Sequence, residues 1–301
     1  MKKTLAEIGG KQISLSNLSK NLYPSYGFTK AEILEYYRKI SPYMIPHLEN
    51  RAVTLKRYPE GVDKDFFFEK RCPRYRPDWL KTARVPQGKN NEMTVCLVND
   101  LHTLIWIENL ASIELHVPLA RVHSPTTPDS VVFDLDPGIG ADVFDCIKVA
   151  FILRDLLSEL KLEALIKTSG MKGLHMYVPL NNRDISFDDT KQFSRSVAEV
   201  LQTNYPDLVT SRMPKEYRRD KVFINWSQND PSKTMVCVYS LRASSKPFVS
   251  FPLSWNELKK LEASHDPERI KVLQDEAIAR AEKNGDLFKD LLVKKQKLPK
   301  M

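Results

Sequence analysis

The 301-residue chain carries 46 Lys and Arg against 38 Asp and Glu, a formal charge of +8, with 42% hydrophobic and 28% charged residues. This composition excludes a disordered or fibrous chain and supplies enough apolar residues for one large domain or two small ones. No apolar run approaches the roughly 20 residues of a membrane span, no secretory leader follows the opening lysines, and the positive balance suits a phosphate-rich partner. The expectation is therefore a cytoplasmic protein with no membrane association. Cys72, Cys96, Cys146 and Cys237 are scattered without zinc spacing and are expected to be buried, reduced thiols.

In chain order, Thr29-Lys30-Ala31-Glu32 forms a capping box that opens a helix through about Ile40. Strand-like runs follow at Arg51–Arg57, Met93–Val98 and Val131–Leu135. Asp142 starts a helical pattern toward Leu160, a strand fits His175–Leu180, and a third helix fits Asp188–Thr203. Val222–Trp226 and Met235–Tyr239 read as strands, and Ser254 with Glu257 caps charged helical sequence toward the C-terminus. The tail Lys294–Met301 is basic and expected to be loose. Long helices among scattered strands predict an α+β (mixed α/β) fold, a mixed sheet flanked by helices. No repeat or low-complexity linker divides the chain, so residues 1–301 are expected to form a single domain.

The sharpest local signal is Val131-Val132-Phe133-Asp134-Leu135-Asp136-Pro137-Gly138. Strand side chains alternate, so Asp134 and Asp136 share one face at the strand's end. Paired carboxylates repel unless a cation lies between them, and oxygen ligands suit Mg²⁺ or Mn²⁺. A strand-end turn with solvated acids is the plain alternative. Downstream comes Lys167-Thr168-Ser169-Gly170-Met171-Lys172-Gly173-Leu174-His175. Its two glycines let backbone N–H groups approach an anion, Ser169 and Lys172 add a hydroxyl and a charge, and His175 opens the next strand.

These elements, in this order, resemble the archaeo-eukaryotic primases, which carry an Asp-x-Asp strand, a Ser-Gly-x-x-Gly-x-His element and a third acidic strand. The spellings FDLDPG, TSGMKGLHMYVPL, VFINWSQND, NLSKNLYP, VTLKRYPEGV, DFFFEK and YSLRA look like the polymerase domain of the prokaryotic end-joining ligase D. The resemblance runs from about residue 15 to 255. It implies a primase-like catalytic core over about 91–260, a DNA-end-binding portion over about 1–90 and a helical segment over about 254–301. It implies nucleotide addition to DNA 3′ ends with two divalent metals, Mn²⁺ or Mg²⁺.

Carried over by position, Asp134 and Asp136 match the metal ligands. Lys56, His116, Ser169, Lys172, His175, Arg218 and Arg242 match nucleotide-binding positions, Arg218 lying in a loop that helps activate the site. Asn17, Lys20 and Lys30 match the element that holds a recessed 5′-phosphate. Phe66, Phe67 and Phe68 offer rings for a base, and the stretch Arg84–Val95, with Gly88-Lys89-Asn90-Asn91, resembles a loop that meets an incoming primer. The implied partners are DNA ends with gaps or 3′ overhangs and a 5′-phosphate, NTP or dNTP, Ku and a DNA ligase, with the protein on the nucleoid during repair.

One position departs from the pattern. Where the family has its third carboxylate, this chain has Asn225, a neutral oxygen in place of a charged one, so one metal site is expected to be weakened and activity impaired. Two other readings remain open at this point. A non-catalytic DNA-end binding module keeps Lys20, Lys30 and the phenylalanines. A haloacid-dehalogenase-type phosphatase also writes Asp-x-Asp, and would draw on Lys167 and Asp188-Asp189.

Overall fold

The computed structural model describes residues 3–88 and 91–299. The chain folds into two compact units whose segments alternate along the sequence. The first comprises Met1–His123, Thr234–Ser250 and Val272–Asp286; the second comprises Ser124–Lys233, Phe251–Lys271 and Leu287–Met301.

The second unit is built on a six-stranded sheet. Ser130–Pro137 lies between Val222–Asn225 and Leu174–Pro179, and Leu165–Thr168 and Pro252–Leu253 extend the latter side. All these neighbours are antiparallel. The edge strand Val209–Thr210 is parallel to Val222–Asn225 and makes the sheet mixed. Alternation sorts its faces. Val131, Phe133, Leu135, Leu174, Met176, Val178, Val222 and Ile224 are buried in one apolar cluster with residues of the helices Val143–Glu159 and Phe187–Asn204. Asp134, Asp136, His175 and Asn225 therefore project from the opposite face. Phe288 packs its ring edge-on against Tyr177 on that face, with centroids 5.5 Å apart.

The first unit holds a four-stranded antiparallel sheet in the order Met235–Val236, Ser112–Val117, Thr54–Arg57 and Phe67–Glu69. The helices Lys30–Leu48, Leu101–Glu108 and Gln274–Asn284 belong to the same unit. Tyr36 and Tyr37 of the first helix are fully buried, and their hydroxyls donate to the carbonyls of Tyr239 and Ile113, both at 2.7 Å. Buried phenols are thus satisfied by backbone, as a low-dielectric core requires. Three hairpins, Lys3–Ile8 with Lys11–Ser16, Asn21–Tyr23 with Phe28–Thr29 and Thr82–Gln87 with Asn91–Cys96, belong to the same unit.

The capping box of Thr29 and Glu32 is present, but the helix it opens runs to Leu48, through Pro42 and Pro46, rather than ending near Ile40. Proline removes helical hydrogen bonds, and burial of Met44, His47 and Leu48 offsets that loss. The helix Phe187–Asn204 starts from Ser186, whose hydroxyl accepts from the Asp189 N–H, slightly earlier than expected. Leu101–Glu108 escapes sequence reading because six of its eight residues are buried, which leaves no polar stripe to betray the period. Cys72 and Cys96 depart from the expectation of reduced thiols: they are joined as a disulfide, while Cys146 and Cys237 are buried thiols. The tail is tethered rather than loose at Gln296, whose amide bonds the backbones of Glu163 and Pro179. Lys300 and Met301 lie outside the described residues. Among the described residues, no helix is long and apolar enough to cross a membrane.

Candidate active site

The register of the six-stranded sheet sets four polar residues in one transverse row. Lys167 pairs with His175, His175 with Asp134, and Asp134 with Asn225 on three successive strand pairings. The side chains follow the backbone. Lys167 Nζ lies 2.9 Å from His175 Nδ1, and His175 Nε2 lies 3.3 Å from Asp134 Oδ1. On the other side, Asn225 Nδ2 and Gln228 Nε2 donate to Asp134 Oδ2 at 3.2 and 3.4 Å. Burial pushes the Asp134 carboxyl up, but the His175 contact and the two amide bonds outweigh it and hold the group below the usual carboxylate range. Asn225 turns its carbonyl oxygen to the Ser227 hydroxyl, which donates at 2.7 Å. Asp136, two residues on, is exposed.

The end of the acidic strand is closed by backbone. Gly138 N–H donates to the Lys221 carbonyl at 2.9 Å, and a Cβ on Gly138 would fall 1.7 Å from the Arg218 carbonyl oxygen. Only glycine permits that approach. Arg218 stacks its guanidinium 3.7 Å from the Phe223 ring centroid and donates to the Met213 carbonyl. On the other side of the strand, Ser169-Gly170-Met171-Lys172-Gly173 forms the turn between Leu165–Thr168 and Leu174–Pro179. Its Met171 and Gly173 N–H groups converge on Ser169 Oγ, both at 3.1 Å. Lys172 is exposed at its tip.

In the first unit, Lys56, His116 and Arg242 gather around a carboxylate that the sequence reading did not single out, Glu114. Lys56 Nζ, Arg242 Nε and His116 Nε2 lie 3.3, 3.3 and 3.0 Å from its oxygens. The Ala243 N–H adds a hydrogen bond at 3.2 Å. Burial opposes ionisation of Glu114, yet the His116 hydrogen bond and the charges of Arg242, His116 and Lys56 carry its pKa down to about 2. Burial lowers the His116 pKa. The strand alternation of Glu114-Leu115-His116 puts the acid and the histidine on one face, a signal that was available in the sequence.

Phe66, Phe67 and Phe68 are all exposed, at 48, 46 and 55%, so none of them is core. The rings sort by face: Lys56 Nζ lies 4.2 and 5.9 Å from the centroids of Phe66 and Phe68, and the Arg57 guanidinium 5.0 Å from that of Phe67. Asn17, Lys20 and Lys30 are brought together by backbone hydrogen bonds, Lys20 N–H to Asn17 O and Lys30 N–H to Lys20 O. Asn17 has φ +55°. Lys20 pairs with Glu60 at 2.7 Å. Lys30 is buried, donates to the Ser16 carbonyl at 2.7 Å, and has its pKa lowered to about 8 chiefly by burial. Of the stretch Arg84–Val95, Lys89 and Asn90 lie outside the described residues; the rest forms the Thr82–Cys96 hairpin.

Lys167 is the other residue whose place the sequence did not reveal. It is 1% exposed, the charged member of an otherwise uncharged strand. Gln228 was also missed. It follows Asn225 in a single 3₁₀ turn, Trp226–Gln228, and no residue pattern marks such a turn as reaching back to the acidic strand.

Comparison with known proteins places this geometry. The family model described as "LigD, primase-polymerase domain" matches residues 29–288. The multifunctional non-homologous end joining protein LigD of Mycolicibacterium smegmatis is 39% identical over 285 residues, 93% of this chain and 36% of that protein. The bifunctional LigD of Bacillus subtilis is 32% identical over 279 residues, 93% of this chain and 44% of that protein. This chain thus spans less than half the length of those relatives. Among solved structures, the polymerase domain of Mycobacterium tuberculosis ligase D in complex with DNA superposes with a TM-score of 0.87 at 37% identity, covering 94% of this chain and 99% of that one. Its mixed sheet, its acidic row and these matches agree that the chain belongs to the LigD primase-polymerase domain family.

Proposed function

We propose that this chain is a template-directed nucleotidyltransferase that extends 3′ ends at gaps and broken DNA ends during non-homologous end joining. The observation that carries this reading is the transverse row that holds Asp134 between His175 and Asn225 at the end of a strand whose next outward residue is Asp136. The reaction is in-line attack of a primer 3′-hydroxyl on the α-phosphate of an NTP or dNTP, with pyrophosphate leaving. The relatives' names support the DNA-repair setting. Ku and a ligase are the proposed protein partners, and the nucleoid the working location.

Asp134 and Asp136 fit a Mn²⁺ or Mg²⁺ ion held jointly with phosphate oxygens. Among the described residues, no group of three or more His, Cys, Asp or Glu side chains could cage a metal by itself. Bound there, such an ion would supply charge neutralisation for the transferring phosphoryl group. A second ion fits less well: Asn225 presents its N–H to Asp134 and its oxygen to Ser227. His175 and the two amides keep Asp134 ionised and oriented. Ser169 and Lys172 offer a hydroxyl and a charge to phosphate, the Met171 and Gly173 N–H groups hold the Ser169 hydroxyl in place, and Arg218 steadies the loop behind Gly138. In the first unit, Lys56, His116 and Arg242 are assigned to nucleotide binding, Lys20 and Lys30 with Asn17 to a 5′-phosphate, and Phe66 and Phe68 to a base.

The Asn225 geometry favours one second reading, a DNA-end binding module without catalysis. The phosphatase reading loses its ground: Asp189 is engaged in the helix cap with Ser186 and Lys167 with His175. The test is extension of a gapped, 5′-phosphorylated duplex with Mn²⁺ or Mg²⁺, beside binding of the same duplex. Extension supports the polymerase. Tight binding with no extension at any metal concentration supports the module and refutes the polymerase.

A further inference from the structure

The sequence just past Asn225 builds a cleft that shares Met213 and Tyr217 with the loop of Arg218, and to which no ligand has been assigned. Trp226 stands between Asn225 and Gln228, both of which donate to Asp134. Its ring lines a surface cleft of about 420 Å³ together with Arg195, Glu199, Arg212, Met213 and Tyr217. The cleft lies within the second unit.

Its walls are fixed by bonds at their bases. The Trp226 indole N–H donates to the Ser211 carbonyl at 3.0 Å, and Gln202 Oε1 accepts from the Ser211 N–H and hydroxyl at 2.8 and 3.1 Å. Flat groups are layered on both sides. The Arg195 guanidinium lies 5.2 Å from the Trp226 ring, and the Arg212 guanidinium 4.7 Å from the Tyr217 ring. The acid of the lining, Glu199, is taken up by Arg195 at 2.8 Å. Met213 and Tyr217 remain 45 and 43% exposed. The adjoining segment 211–221 carries Arg212, Lys215, Arg218, Arg219 and Lys221 against Glu216 and Asp220.

A cleft of anchored aromatic rings and planar cations, beside a basic segment, has the chemistry that recognises an unpaired base with its phosphate. The adjoining segment's excess of Lys and Arg over acids favours a phosphate-bearing occupant over a protein one. We propose that this cleft takes an unpaired nucleotide of single-stranded DNA and so seats the unpaired strand of a broken end one residue away from the acidic row. The inference rests on the reading of the chain as acting on DNA ends.

The experiment measures binding of labelled, 5′-phosphorylated duplexes by fluorescence anisotropy with the whole chain, comparing a blunt end, a short 3′ oligothymidine overhang, and the same overhang made of abasic nucleotides. Stacking of a base predicts about tenfold tighter binding of the thymidine overhang than of the blunt end. It predicts loss of most of that advantage with the abasic overhang and in Arg212→Ala and Tyr217→Ala, both surface substitutions. An abasic overhang that keeps the full advantage overturns the cleft as a base site. So does an advantage unchanged in both variants, or equal wild-type affinity for blunt and overhanging ends; in each of these cases DNA-end binding itself stands. Failure to bind any of the duplexes overturns the DNA-end reading and the cleft with it.

Discussion

Asp134 and Glu114 are both buried strand carboxylates with depressed pKa values, yet their surroundings are opposite in kind. Asp134 is held by two neutral amides and a histidine, with a second carboxylate, Asp136, on the same face. Glu114 is met by the cations Lys56 and Arg242 as well as His116. A third buried acid, Glu108, has no hydrogen-bond partner for either oxygen among the described residues, and burial alone pushes its pKa well above the ordinary value. Burial is common to all three. What separates them is whether the fold supplies donors, cations or nothing, and this decides whether the place invites a cation, an anion or a neutral acid.

The largest way to break the comparison is to change the charge beside Asp134. Asn225→Asp replaces an amide donor with a carboxylate. Without metal it should lower the melting temperature, because two carboxylates then face each other; with Mn²⁺ it should show a larger stabilising shift than the parent. In single-turnover extension it should be faster by orders of magnitude, whereas Asp134→Ala should lose on the order of 10²–10³-fold. Equal extension rates for the parent chain and the Asn225→Asp variant would remove the idea that this position limits the reaction.

Next in size is the opposite region. Glu114→Ala leaves the half-buried cations Lys56 and Arg242 without their carboxylate and should cost about 3 kcal/mol in chemical denaturation. The acid side of the pH profile tests the same residue. Its folded pKa of about 2 lies below its ordinary 4.5. Its contribution is therefore complete above about pH 4.5 and declines as pH falls, ending below about pH 2. Integrated, that is about 3 kcal/mol, and Glu114→Gln should lose this segment of pH dependence. An unchanged acid profile would show that the cations, not the acid, set the stability there.

Glu108 should respond with the reverse sign. Its folded pKa is raised, so the folded state is favoured below the unfolded value and loses ground as pH rises above it. Glu108→Gln should thus gain on the parent as pH rises above the ordinary glutamate value, read as a growing difference in denaturation midpoint. The smallest effect concerns Lys30, a buried lysine met by a carbonyl instead of a carboxylate. With a pKa of about 8, its ammonium is lost as pH rises past that value, so any preference for 5′-phosphorylated duplex should fade above about pH 8. A preference that holds unchanged well above that pH would take the phosphate contact away from Lys30.

The elements of chemistry were legible where a local pattern carried them. Asp134 and Asp136 announced themselves by strand alternation, and Thr29, Asp142 and Ser254 by capping. What sequence withheld was register. Nothing local says that Lys167 stands beside His175, or that Gln228 reaches Asp134, because such contacts depend on which strands pair and with what offset. The long helix past Pro42 and Pro46 was misread for a related reason: the tertiary burial of Met44 and Leu48 outweighs a local breaker. Glu114 lay in view two residues before His116 but reads as an ordinary strand acid until Arg242, far along the chain, arrives beside it.

The alternation of the two units along the chain has a consequence for how the molecule is made. The polypeptide passes from one unit to the other five times, so no single cut releases either unit whole. As the chain leaves a ribosome, the acidic strand emerges well before Phe288, which covers Tyr177 on its own sheet, and Glu114 emerges long before Arg242. Neither unit can close until nearly all of the sequence has been synthesised. Truncation libraries should accordingly yield soluble protein only near full length, and fragments meant to isolate one half would have to be assembled from separate pieces or circularly rearranged.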